Sequence, residues 1–189
     1  MIKGYDLSHF QMNTYKKYSD GAFYILKASE GVTYKDPMMA KMAEYFGKQL
    51  KKPLGFYHYA HPEKNSAKKE AAHFIKQVKD YLPCVLALDW EQKALACDIK
   101  WAREFLDIVY KETGIRPLFY CQSSYVSKAG SAIVDGNYGL WVARYSGGKI
   151  PPVVGKWGRY AIWQYTSTPV DCDYFNGTVE QFKKYGGMR

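Results

Sequence analysis

The sequence predicts an α/β barrel, because short apolar runs recur along it, amphipathic helical patterns fall between them, and the runs begin about 30 residues apart, the length of one strand-helix unit. The runs cover residues 2–6, 23–28, 54–60, 84–90, 117–121, 140–145 and 160–165. Each is short and mostly apolar, which suits strands buried on both faces. In the first run Ile2, Gly4 and Asp6 share one face. After the second, Asp36-Pro37 supplies a cap and first turn, and Met39, Met42, Ala43, Phe46 and Leu50 form one helical stripe. After the third, Ser66 opens a helix carrying Ala71, Phe74, Ile75, Val78 and Leu82. After the fourth, Asp98 opens a helix carrying Ala102, Phe105 and Val109, and Gly114 stops it. Strand and helix in alternation imply a parallel sheet. The rhythm then breaks: between Tyr138 and Tyr160 the interval shrinks to about 20 residues, with Gly147-Gly148 and Pro151-Pro152 in the connection, too little for a crossover helix. The pattern therefore predicts a barrel-like sheet that begins as strand-helix units, closes with strands lacking full helices, and ends in a helix over residues 179–185. Strand order does not follow from periodicity, so a doubly wound open sheet is the alternative.

A length of 189 residues suits one compact domain, residues 1–189, and no low-complexity linker divides it. A hydrophobic share of 47% and a charged share of 24% describe an ordinary folded chain. The net charge of +9 would attract nucleic acid, an anionic membrane or an acidic wall polymer. Nucleic acid is disfavoured: there is no zinc-finger spacing, no ribonucleoprotein aromatic motif, and the densest basic clusters, Lys48 to Lys52 and Lys64 to Lys69, read as solvated helix faces. No stretch approaches a membrane span, and the start lacks a basic segment followed by an apolar run, so synthesis in the cytoplasm without a signal peptide is expected. Cys84, Cys97, Cys121 and Cys172 form no C-x-x-C pair and read as free thiols, with neither zinc site nor disulfide framework. An aromatic share of 17%, including 18 Tyr, suits stacking on sugar rings or on bases.

Chemistry concentrates where the run Cys84 to Trp90 meets two acids, Asp89 and Glu91. At i and i+2 on a strand they share a face with Val85 and Ala87, while Leu86, Leu88 and Trp90 face the helices. Both carboxylates then point into a barrel mouth, where barrel enzymes build their sites. Two carboxylates on one apolar strand repel, so one keeps its proton near neutral pH while the other stays ionised, the division of labour that glycoside hydrolysis needs. Two acids with one residue between them are a weak signal alone, since Asp89 could cap a turn and Glu91 could be solvated. Asp6, and Asp171 with Asp173, add acids at other strand ends, although a turn cap would explain the first and an Asx turn the others. His9, His58 and His61 read as structural rather than as a metal site, because no carboxylate motif of a metal hydrolase accompanies them. Lys27 and Glu30 read as an ion pair, buried or at the rim.

Seven segments in order resemble glycoside hydrolase family 25, the lysozymes that include many phage endolysins: residues 4–9, 27–31, 55–58, 88–91, 140–143, 163–165 and 170–177. The resemblance spans almost the whole chain. It implies a barrel of five strand-helix units closed by three strands, (β/α)5β3. It further implies cleavage of the β-1,4 bond between N-acetylmuramic acid and N-acetylglucosamine in peptidoglycan, with no cofactor. Carried over by motif, Glu91 is the general acid, Asp89 orients the 2-acetamido group or stabilises developing charge, and Asp6 and Asp171 support them. Asp173 stands where the family commonly has Asn, which leaves open which late acid matters. Tyr57, Trp141 and Tyr145 fall on motif positions and are expected to line the sugar groove, with barrel core as the plainer reading. The resemblance also implies action on the cell wall, after holin-dependent release if the chain is a phage endolysin, and the basic surface suggests affinity for teichoic acids. The rivals are a chitinase-like glycosidase, against which the longer D-x-x-D-x-D-x-E ladder is missing, an inactive wall-binding module, and a nucleic-acid-binding barrel.

Overall fold

The computed structural model describes residues 1–189. The chain runs β1 (Ile2–Leu7), two 3-10 turns (His9–Gln11 and Tyr15–Tyr18), β2 (Phe23–Glu30), β3 (Tyr34–Lys35), α1 (Met39–Ala43), β4 (Leu54–Tyr59), α2 (Ala67–Val78), β5 (Val85–Asp89), α3 (Ile99–Thr113), β6 (Leu118–Gln122), α4 (Val126–Val134), β7 (Gly139–Ala143), β8 (Ile162–Thr166), β9 (Cys172–Phe175) and α5 (Val179–Tyr185). The hydrogen-bonded order is β1-β9-β8-β7-β6-β5-β4-β2, with β3 outside on β2. Because β1 also pairs with β2, from Gly4 opposite Phe23 to Leu7 opposite Leu26, the eight strands close into a barrel and the open-sheet alternative is excluded. Within the barrel all neighbours are parallel except β9, which runs antiparallel to both β8 and β1, and outside it β3 is antiparallel to β2.

Strand parity builds two cores. Val85, Ala87, Leu118 and Ile162 fill the barrel interior with Phe23, Ile25 and Phe175, while Leu86, Leu88 and Trp90 join the layer under the helices. The parity read from β5 is therefore the observed one. At the base, the end where the parallel strands begin, Phe182 of α5 plugs the barrel, its ring 4.5 Å from that of Phe23 and 5.3 Å from that of Phe175. Gly4 makes this possible, since a Cβ there would lie 2.6 Å from the Phe23 ring.

Elsewhere the structure departs from the predicted boundaries. The single helix expected over Met39 to Leu50 is one turn and a half of α-helix followed by a π-helix, Glu44–Gln49, closed by Leu50 N–H donating to the Tyr45 carbonyl at 3.0 Å. The second predicted helix stops at Val78 and finishes as a 3-10 turn, so Leu82 lies beyond it. Besides the short β3 (Tyr34–Lys35), two elements were not predicted. α4 buries Val126, Ala129, Gly130 and Ile133 on one face, and β9 forms where an Asx turn was the competing reading. The four cysteines are free, and no helix is long and apolar enough to cross a membrane.

Candidate active site

The C-terminal ends of the strands supply the site. Asp6 lies near the end of β1, Tyr57 on β4, Tyr120 on β6, Trp141 on β7, Gln164 on β8, and Asp89 is the last residue of β5. Glu91 keeps an extended backbone, φ −144° and ψ 179°, so the alternation of β5 carries on past its last ladder pair and the two acids share the mouth. Asp171 immediately precedes β9, and because β9 runs backwards its start, not its end, reaches the mouth. With Tyr145 these residues line a cavity of about 150 Å³. The cavity continues past Tyr57 and Asp171 into a groove of about 590 Å³ bordered by His9, Phe10, Glu30, Tyr34 and His61. Past Tyr120 and Tyr145 it continues into a third compartment of about 280 Å³ bordered by Gln122, Ser123 and Ser124. The result is one trough of three adjoining compartments.

The carboxylates are held against their ordinary ionisation. Burial pushes Asp89 well above its usual range and the charge of Glu91 adds to that, with Lys27 opposing. Glu91 is also raised by burial, again with Lys27 pulling it down. Asp171 is pushed up to about 8 by burial and by the charges of Asp6 and Glu91. Asp6 is raised by burial first and by Asp173 second. Asp173, fully buried beneath it, is pushed up to about 8 by burial, while hydrogen bonds from Asp6 and Trp141 draw it down. The proximity of the two carboxyls thus raises Asp6 and lowers Asp173. Asp89 Oδ1 is buried without a protein partner, leaving a polar atom for a ligand to satisfy.

Gln164 ties this together. Its Nε2 donates to Asp6 Oδ2 at 2.8 Å, and its Oε1 accepts from Tyr120 Oη at 2.9 Å and Tyr145 Oη at 2.8 Å. Trp141 Nε1 donates to Asp173 Oδ1 at 2.8 Å. Lys27 Nζ sits 2.7 Å from Glu30 Oε2 and over the rings of Tyr34 and Tyr59, so the expected ion pair is present and is also a cation of the groove wall.

All seven residues assigned from the sequence line the central cavity: Asp6, Asp89, Glu91, Asp171, Tyr57, Trp141 and Tyr145. The aromatic three differ in kind. Trp141 is 2% exposed and belongs to the barrel core as well as to the floor, whereas Tyr145 is 59% exposed at the rim. The three histidine rings meet different side chains. His58 is fully buried between Ser29 Oγ and Glu70 Oε2, both at 2.8 Å, His61 bridges Glu30 and Glu63, and His9 meets Asp36 and Tyr34. Sequence reasoning missed Tyr120 and Gln164. The signal was parity, since each lies two residues after an interior residue, Leu118 and Ile162.

A parallel barrel whose strand ends gather protonatable carboxylates along a trough is the layout of a glycoside hydrolase. The chain belongs to the glycosyl hydrolases family 25, whose profile matches residues 5–173. It is 29% identical to the N,O-diacetylmuramidase of Chalaropsis sp over 211 aligned positions, covering 97% of this chain and 98% of that protein. Among solved structures it is similar to a muramidase from Acremonium alcalophilum (26% identity, TM-score 0.79, 98% of this chain and 99% of that one). A muramidase from Trichobolus zukalii is alike to the same degree (29% identity, TM-score 0.77, 98% and 99%).

Proposed function

We propose that this glycoside hydrolase is an N-acetylmuramidase that cleaves the β-1,4 bond between N-acetylmuramic acid and N-acetylglucosamine in peptidoglycan, with Glu91 as general acid. The observation that carries this reading is that Glu91, alone among the carboxylates, borders all three compartments of the trough. A polymer lying along the trough passes it wherever the chain is threaded. Burial raises its pKa, the direction a general acid requires. The proton moves to the glycosidic oxygen, the C1–O bond breaks, and positive charge grows at C1 and the ring oxygen. Asp89 stabilises that charge or orients the 2-acetamido group, and water completes the hydrolysis with Glu91 taking back a proton. Asp6 and Asp171 support the pair through their own charge and protonation, and Tyr57, Trp141 and Tyr145 present rings to the pyranose faces. The names of the Chalaropsis, Acremonium and Trichobolus relatives support peptidoglycan as substrate. A net charge of +9 supports added affinity for anionic wall polymers such as teichoic acids, which high salt should weaken.

The test is to incubate the protein and Glu91→Gln with purified peptidoglycan, follow turbidity, and identify the new reducing end by borohydride reduction and mass spectrometry. Muramic-acid ends from the parent protein and none from the variant are expected. Glucosamine ends would make it a glucosaminidase, and cleavage of chitin in preference would make it chitinase-like. No cleavage of any wall would leave a binding module, and equal cleavage by both proteins would move the acid to Asp89 or Asp171.

A further inference from the structure

The base of the barrel holds a second cavity, of about 550 Å³, between the starts of β7 and β8, the end of β9, and α5. Its lining differs in kind from the mouth. It carries Arg116 and Arg159 and no carboxylate, where the mouth carries Asp6, Asp89, Glu91 and Asp171. Neither arginine takes part in any ion pair of the molecule. Arg116 is preset: its guanidinium lies 4.0 Å from the centre of the Tyr110 ring and 5.8 Å from that of Tyr138, and Nη1 donates to the Gly136 carbonyl at 2.8 Å. That leaves its other N–H groups for a ligand. Arg159 is exposed and reaches the same space from the segment before β8. Trp157 and Tyr160 supply rings beside the two cations. Gly139 lets the Tyr185 hydroxyl pack directly against the start of β7, where a Cβ would collide with it, and so fixes one wall of the space.

We propose that this cavity is a second binding site, for the phosphodiester of a polyol-phosphate or sugar-phosphate polymer of the cell wall. The proposal rests on the reading that the enzyme works on that wall. Guanidinium forks match phosphate oxygens two at a time, and an arginine already stacked on a ring loses little freedom when it binds. The volume falls within the range of small-ligand sites and accommodates one repeat of such a polymer. A polymer held here stays clear of the trough, so wall tethering and hydrolysis proceed together, and the tether raises the local concentration of glycan.

The experiment is calorimetric titration of the full chain with purified poly(glycerol phosphate), alongside hydrolysis of peptidoglycan stripped of that polymer. R116Q/R159Q is expected to bind at least ~10-fold more weakly, while hydrolysis of stripped wall stays within about twofold. Because Arg116 also packs on two rings, R159Q alone is run beside it, and removing that one exposed guanidinium is expected to weaken binding about threefold. K48Q/K51Q removes the same charge from a remote surface and is expected to bind like the parent. Equal loss in K48Q/K51Q would overturn the proposal in favour of a diffuse effect of net charge. Absence of binding by the parent would overturn it outright, and so would phosphatidylglycerol vesicles that bind at the arginines when the polymer does not. If the parent protein leaves stripped peptidoglycan intact, the muramidase reading fails, and the titration still reports on the cavity.

Discussion

The two ends of the barrel are made from the same eight strands and the same alternation, and they differ in what the inward positions carry. At the base these positions are Phe23, Val85, Leu118, Ile162 and Phe175, plugged by Phe182, and the interior is apolar and buried. Two residues further along β6 and β8 they become Tyr120 and Gln164, four further along β5 Asp89, and β1 brings Asp6 to the same level. The carboxylates among them are buried against their preference for water, with Asp171 and Asp173 both pushed up to about 8. The difference teaches that the base supplies the folding free energy that lets the mouth bury acids against their preference for water.

Substitutions should separate the two ends. The largest effect is expected at the mouth: Glu91→Gln should lower kcat by ~1,000-fold with an unchanged melting temperature. A comparable drop in stability would mean that Glu91 also holds the fold, and the contrast would fail. At the base, Phe23→Ala should lose about 3–5 kcal/mol in denaturant unfolding while the protein that remains folded turns over normally. Gln164→Ala strands the Asp6 carboxyl and two phenols, and a loss of about 1–3 kcal/mol of transition-state stabilisation, seen in kcat rather than KM, is expected. Lys27 lowers the pKa of both Asp89 and Glu91, so Lys27→Met should move the whole kcat/KM profile to higher pH and Lys27→Arg should restore it. An unshifted profile would make Lys27 purely structural. The smallest effect concerns stability. Asp171 rises from 3.8 to about 8 on folding, so its contribution is complete below 3.8 and declines as pH climbs to about 8. Asp171→Asn should therefore flatten the fall of melting temperature across that window, and parallel curves would remove the assigned burial effect.

Much of this was legible before the structure, for physical reasons that vary along the chain. The parity of Val85, Ala87, Asp89 and Glu91 placed the central acids because a buried strand permits only two faces. Asp98 and Gly114 bounded α3 because both meet real backbone needs: the Asp98 side chain accepts from Lys100 N–H, and Gly114 adopts φ 72°. α4 was not legible because Gly130 and the serines around it weaken its helical signature, while in the structure its buried face of Val126, Ala129, Gly130 and Ile133 fixes it. β9 was missed because inward-facing Asp173 replaces the apolar residue expected there, and only the tertiary partner Trp141 reconciles that acid with burial. Gln164, between Trp163 and Tyr165, reads as barrel wall until β1 is seen to deliver Asp6 to its amide.

That last contact has a meaning for biosynthesis. Gln164 and Asp6 are 158 positions apart, and β1 is held on one side by β9. The acids cannot assemble until the chain has been made from β1 through β8, and the 158 positions between Asp6 and Gln164 take roughly 8 to 30 seconds at ordinary rates of translation. Until then Asp6 has no Gln164 amide to hold it, and the trough is incomplete.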